Sequence, residues 1–111
     1  MGKRRRALSI RQPYAEEILR GTKQYEYRST RTRILNERVY IYASMQPGEI
    51  KRFESLGLEP GDLPTGVLVG TMEIEECVRN RTGWAWRIKN PQRLKRLRKP
   101  AGKPQPVWFY P

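Results

Sequence analysis

The stretch GVLVGTMEIEECV, residues 66–78, constrains the fold more than any other part of the chain. It is crowded with Val, Ile, Leu and Thr, which suits a pleated, half-buried surface and predicts one long strand. Gly70 in its interior marks a bend or bulge, since a glycine weakens a straight strand. The chain is 111 residues long, so this strand serves a single domain with one core.

Shorter elements surround it. Strands are predicted at 7–10 (ALSI), 25–29 (YEYRS) and 38–44 (RVYIYAS), at 83–91 (GWAWRIKNP, stopped by Asn-Pro), and at 106–111 (PVWFYP). Pro13 opens a two-turn helix carrying Tyr14, Ile18 and Leu19, with Glu16 four residues before Arg20 and Gly21 as a left-handed cap. A second helix is expected after a Ser44 cap, with Pro47 early, Ile50, Phe53 and Leu56 on one face, and Gly57 closing it. Residues 30–37 read as a polar connection and 58–66 as a Pro/Gly loop. Residues 91–100 read as a basic turn of helix or an extended linker. These elements predict an α+β fold: a small, partly closed β-barrel of about five or six strands with two or three short flanking helices.

Charge narrows the partners. Lys and Arg number 23 against 11 Asp and Glu, a net charge of +12. No acidic residue follows Glu76, while ten basic residues lie between Arg79 and Lys103. Such clustering is the footprint of a polyanion-binding protein, nucleic acid being the commonest partner. Residues 1–6 read as a basic arm. No run of eighteen apolar residues exists, so no membrane span is expected. MGKRRR lacks the apolar segment of a secretory signal, and Arg6 breaks the myristoylation pattern. The lone Cys77 forms no internal disulfide and suits a reducing cytoplasm.

The missing residues narrow the chemistry. With no histidine, Ser-His-Asp and Cys-His catalysis and histidine zinc sites are excluded. One cysteine cannot build a thiolate metal site, so no metal or cofactor is expected. Any reaction falls on Lys, carboxylates, Tyr, Ser or Thr.

Three stretches carry candidate sites. In LSIRQPYA, Arg11 and Gln12 sit at a strand-to-helix junction, where main-chain amides favour anions. In GTKQYEYRST, strand alternation sets Tyr25 and Tyr27 on one face and Glu26 and Arg28 on the other, with Lys23 at the entry. Facing outward, that pair is ordinary surface decoration; facing a barrel mouth, it is better explained by a ligand. In GWAW, Trp84 and Trp86 share a face, suited to the core or to stacking a base. One of Glu73, Glu75 and Glu76, facing inward, would set a carboxylate opposite Lys23.

LSIRQPYAEEILRGTKQYEYRS, then RVYIYAS, GVLVGTMEIEECV, GWAWRIKNP and the aromatic strand after them, together resemble the ASCH domain family of the PUA-like superfamily, over residues 7–111. The most specific element is Gly-x-Lys-x-x-Glu-x-Arg, present as Gly21, Lys23, Glu26 and Arg28, joined by Gln-Pro-Tyr-Ala at 12–15. The resemblance implies a β-barrel whose cleft binds RNA. The chain also resembles in size some small bacterial members that hydrolyse N4-acetylcytidine and related N4-acylcytidines without a metal. On that likeness Lys23 is base or nucleophile, Glu26 orients it, and Glu73, or Glu75 beside it, handles the water or the leaving amine. Ser9, Arg11, Gln12, Tyr14, Arg28 and Trp84 would then hold the substrate, a modified cytidine nucleoside or RNA. A binding module without chemistry and a ribonuclease are the alternatives.

Overall fold

The computed structural model describes residues 4–111, so residues 1–3 of the expected basic arm lie outside the described residues. Six strands are present: β1 Ala7–Ile10, β2 Tyr25–Arg28, β3 Arg38–Ala43, β4 Val67–Arg79, β5 Trp84–Arg98 and β6 Trp108–Phe109. They form one sheet in the order β2-β5-β4-β3-β1-β6, curled into half a barrel. Two helices, α1 Tyr14–Arg20 and α2 Ile50–Ser55, and a single 3-10 turn at Pro60–Asp62 complete the α+β fold. None of these helices is long and apolar enough to cross a membrane.

Alternation along the strands builds two apolar clusters. Val39, Ile41 and Ala43 point to the concave side with Leu8, Ile10, Val69, Met72, Ile74 and Trp86, and Ile18 of α1 covers them. Ala7, Tyr42, Leu68 and Phe109 form a smaller cluster, joined by Tyr40 and Leu94. Trp86 and Trp108, on strands far apart in the sheet order, stack at 6.1 Å between ring centres. That contact is possible only because the sheet curls.

The long strand is present, and Gly70 sits where its pairing shifts, between Leu68 and Gly70 against β5 and opposite Ile41/Tyr42 of β3. Gly21 caps α1 in the left-handed conformation, φ 82°. Other expectations need correction. Ser44 does not cap α2. Its N–H bonds the Ile10 carbonyl and that of Gly48 bonds the Gln12 carbonyl, which ties 44–48 to the end of β1. The helix begins at Ile50 with Glu49 as its first flanking residue; Phe53 is buried and Ile50 is exposed. Nor does Asn90-Pro91 stop β5. The register against β4 shifts between Glu73↔Lys89 and Thr71↔Gln92, and Asn90 takes a positive φ of 52°. This bulge absorbs the proline, and 91–98 continue as strand with Leu94 packed on the smaller cluster.

Glu16 ties α1 to the sheet. Its carboxylate accepts from Arg20 at 2.7 Å, the i,i+4 pair expected, and from Arg93 of β5 at 2.8 and 3.1 Å. The Arg93 guanidinium, followed by Arg20, holds the Glu16 carboxyl below its ordinary value of 4.5 despite burial. A depressed carboxylate stabilises the fold above its unfolded-state pKa, and the contribution is lost as pH falls through the folded-state value. The wild-type melting temperature should therefore drop on acidification below the ordinary value. In Glu16→Gln that drop should be shallower, from a lower starting point at neutral pH. Parallel acid limbs in the two proteins would remove Glu16 from the account.

Candidate functional site

A cleft of about 620 Å³ opens along the seam of the half-barrel. One wall is β2, with Glu26 and Arg28. The opposite wall is the end of β1 with Ser9, Ile10 and Arg11, then Tyr14 at the start of α1. Tyr42 and residues 44–46 after β3 form a third side, and Pro104, Gln105 and Pro106 a fourth. β1 and β3 run parallel, Ala7↔Tyr40 through Ile10↔Ala43, so the chain leaves both at the cleft.

The seam is closed by an arginine. β2 pairs only with β5, Glu26 opposite Trp86 and Arg28 opposite Trp84. From that edge, Arg28 donates through Nε to Glu26 Oε2 at 2.7 Å and through Nη2 to the main-chain carbonyl of Ser9 at 2.8 Å. Its guanidinium lies 5.7 Å from the centre of the Trp86 ring. Trp86 is itself buried and donates Nε1 to the Thr30 carbonyl. The Glu26–Arg28 pair is mostly shielded, with side chains 11% and 19% exposed. An ion pair so placed carries a desolvation cost that an outward-facing pair would not.

Lys23 lines a neighbouring hollow with Tyr25, Tyr27 and Arg52, not the cleft itself, and meets Glu26 and Tyr14 of the cleft wall from there. Its Nζ is 3.7 Å from Glu26 Oε1 and lies over the rings of Tyr14 and Tyr27, at 5.5 and 5.1 Å. At 3.7 Å it attracts the carboxylate without hydrogen-bonding it. Glu26 Oε1 therefore keeps acceptor capacity, and Arg28 Nη1 makes neither of the bonds that fix the other two nitrogens. Both residues of the pair line the cleft wall. Burial pushes the Tyr42 phenol up, which keeps it a neutral hydrogen-bonding group.

The structure thus brings together Lys23, Glu26, Arg28, Ser9, Arg11 and Tyr14. The Ser9 hydroxyl is already engaged, donating to the Gln105 carbonyl at 2.5 Å, which latches 104–106 over β1. Four other candidates fall elsewhere. Gln12 is 1% exposed; its amide oxygen accepts from the Glu16 N–H and its nitrogen donates to the Pro64 carbonyl. It caps α1 from within and offers nothing to a ligand. Trp84 lines a separate hollow with Tyr27, Asn80 and Thr82, under Arg79. Glu73 is on β4, flanked by buried Met72 and Ile74 that point to the core, and its carboxylate is held by Arg38 at 3.2 Å and Asn90 at 3.1 Å. Hydrogen bonding from Asn90, then the charge of Arg38, depresses its pKa. Glu75 pairs with Arg87 at the exposed end of the hairpin. Neither carboxylate lines the cleft.

A curled α+β half-barrel with an ion-paired, hydroxyl-rich cleft at its seam is a module of the PUA-like class. The model of the ASCH domain matches residues 8–101, most of the chain, and the protein belongs to the ASCH domain family. Membership points to a module of the RNA-binding or hydrolase type. No curated protein matches the chain.

Proposed function

We propose that the cleft holds a cytosine-type base of RNA, with Glu26 and Arg28 reading its edge. The 2.7 Å Glu26–Arg28 pair, a shielded acceptor and donor set together in the cleft wall, carries this reading. Cytosine offers an exocyclic N4 amine next to the acceptor N3. A carboxylate suits the amine and a guanidinium suits N3, whereas uracil would turn a carbonyl oxygen toward Glu26. RNA-binding proteins read splayed, unstacked bases on this edge, and Tyr14 and Tyr42 give the cleft aromatic walls. The volume lies within the usual range for small-ligand sites.

The test is calorimetric titration with cytidine and uridine monophosphates. The wild type should prefer cytidine by about tenfold or more, and Glu26→Gln, whose amide can face either edge, should abolish the preference. Equal affinity in the wild type, or a preference untouched by Glu26→Gln, would refute the assignment.

Lys23 favours a second reading, amide hydrolysis of N4-acylcytidine. An acyl group on an N4 held at Glu26 would lie beside the Lys23 ammonium. Water adds to its carbonyl, losing a proton to Glu26, while Lys23 stabilises the oxyanion. Collapse breaks the C–N4 bond, Glu26 returns the proton to N4, and cytidine and a carboxylic acid leave. Neither Glu73 nor any metal takes part in this scheme. Conversion of N4-acetylcytidine, followed by absorbance and lost in Lys23→Ala, would support it. Intact substrate with wild-type protein that binds cytidine monophosphate would leave binding as the function.

A further inference from the structure

Next to the cleft, on the face of the sheet whose apolar cluster includes Tyr42, lies a second surface with a different composition. Arg5 lies 5.2 Å and Arg98 4.8 Å from the centre of the Tyr40 ring. Arg4 lies 4.5 Å and Arg6 5.8 Å from the centre of the Tyr110 ring. Tyr40 shares its face with Ala7 and Phe109, whereas alternation sets Arg4, Arg6 and Tyr110 on the opposite face, so the surface in question is the one with Arg5, Tyr40 and Arg98. Strand alternation puts Arg96 on the Arg98 side of β5, the side on which Leu94 packs against Tyr40. Tyr110 is 42% exposed.

Among the described residues, the acidic contact of these arginines is Glu37, 3.8 Å from Arg6 Nε, and that nitrogen has no hydrogen-bond partner. The cations are therefore arranged by aromatic rings, not neutralised by carboxylates. They are all arginines, whose planar heads grip phosphate through two bonds and stack on π-faces, as lysines do not. Arg5 and Arg98 held at one tyrosine, with Arg96 beside them, suit the phosphates of a single-stranded nucleic acid. Tyr42 belongs both to the small cluster beneath this surface and to the wall of the cleft.

We infer that this Arg/Tyr face is a track for the single-stranded RNA flanking the nucleotide in the cleft. The direction of the track rests on the cleft reading; the existence of the surface does not. The test uses the full-length protein, fluorescence anisotropy with a labelled single-stranded RNA of about a dozen nucleotides, and cytidine monophosphate in parallel. The variant Arg5→Ala/Arg98→Ala should weaken the oligonucleotide roughly tenfold or more and make its salt dependence shallower by about 1.4 in the log–log slope, two phosphate contacts at about 0.7 each. Mononucleotide binding and melting temperature should stay at wild-type values. The exposed Arg96→Ala, which removes no ring contact, should give a smaller loss of the same kind.

Three results would overturn the proposal: unchanged oligonucleotide affinity in the double variant, equal loss of mononucleotide and oligonucleotide, or competition by polyglutamate as effective as by unlabelled RNA. If the oligonucleotide binds through these arginines while the mononucleotide does not bind at all, the track stands and the cleft reading falls.

Discussion

Arg28→Ala is expected to abolish measurable binding of cytidine monophosphate and to lower the melting temperature by roughly 10–20 °C. One side chain performs three tasks. It neutralises Glu26, bonds the Ser9 carbonyl across the seam, and lies on Trp86. Its loss leaves the carboxylate of Glu26, a residue only 8% exposed, with Lys23 alone at 3.7 Å. Removing one partner of a shielded pair costs about 3 kcal/mol, more than the pair's net contribution, because the remaining charge is stranded. Arg28→Ala/Glu26→Ala separates the effects. Removing both charges should restore a large part of the stability and none of the binding. If the double variant is as unstable as the single, packing on Trp86 dominates. If Arg28→Ala still binds the nucleotide normally, the cleft assignment fails.

Gly70→Val should be comparably damaging for a purely steric reason. A Cβ at Gly70 would lie 2.5 Å from the Gln92 carbonyl oxygen and 2.5 Å from Leu19 Cδ2. The leucine can turn aside. The carbonyl belongs to the backbone of β5 and can move only by pulling the two longest strands apart. Overpacking of this kind costs about 3 kcal/mol, against a gain below about 1 kcal/mol from restricting the unfolded chain. The strain wins, and a melting temperature lower by roughly 10 °C or more is expected. Gly61→Ala is the control, since nothing lies within 4 Å of its Cβ and it should be near neutral. Equal melting temperatures for both variants would show that β4 and β5 accommodate the extra atoms.

The sequence made the local pattern legible and left the non-local pattern hidden. Alternation alone put Glu26 and Arg28 on one face of β2. That this face lines a cleft depends on β2 meeting β1 across the seam, and nothing local announces it. Gln12 is polar, and polarity could not distinguish a ligand contact from a buried internal cap whose amide bonds the Glu16 N–H and the Pro64 carbonyl. Glu73 fits a strand face by counting, but bulges on either side of it shift the register, and Arg38 and Asn90 take its carboxylate. Asn90-Pro91 carried a strong stop signal that the bulge overrode, which hid the second half of β5. Tyr42, Ser44, Met45, Gln46 and 104–106, much of the cleft wall, escaped notice. Tyr42 lies in an apolar strand that reads as core, and no pattern within 99–107 indicates which strand it lies over. The parallel β1/β3 pairing, which aims both strand ends at one place, had no local mark.

The seating of β6 against β1 has a consequence for how the protein comes into being. Phe109 pairs with Ala7, and the Ser9 amide bonds the Val107 carbonyl, so the cleft is bounded by segments nearly the whole chain apart. During synthesis the first strand must wait for the last, while β3, β4 and β5 can already zip together as neighbours. Closing so long a loop is entropically costly and slow, so the sheet exists before the pocket does. A nascent chain lacking residues 104–109 would therefore hold the sheet without the groove proposed to select a base. The proposed discrimination arrives only with residues 104–109, a late step in the assembly of this domain.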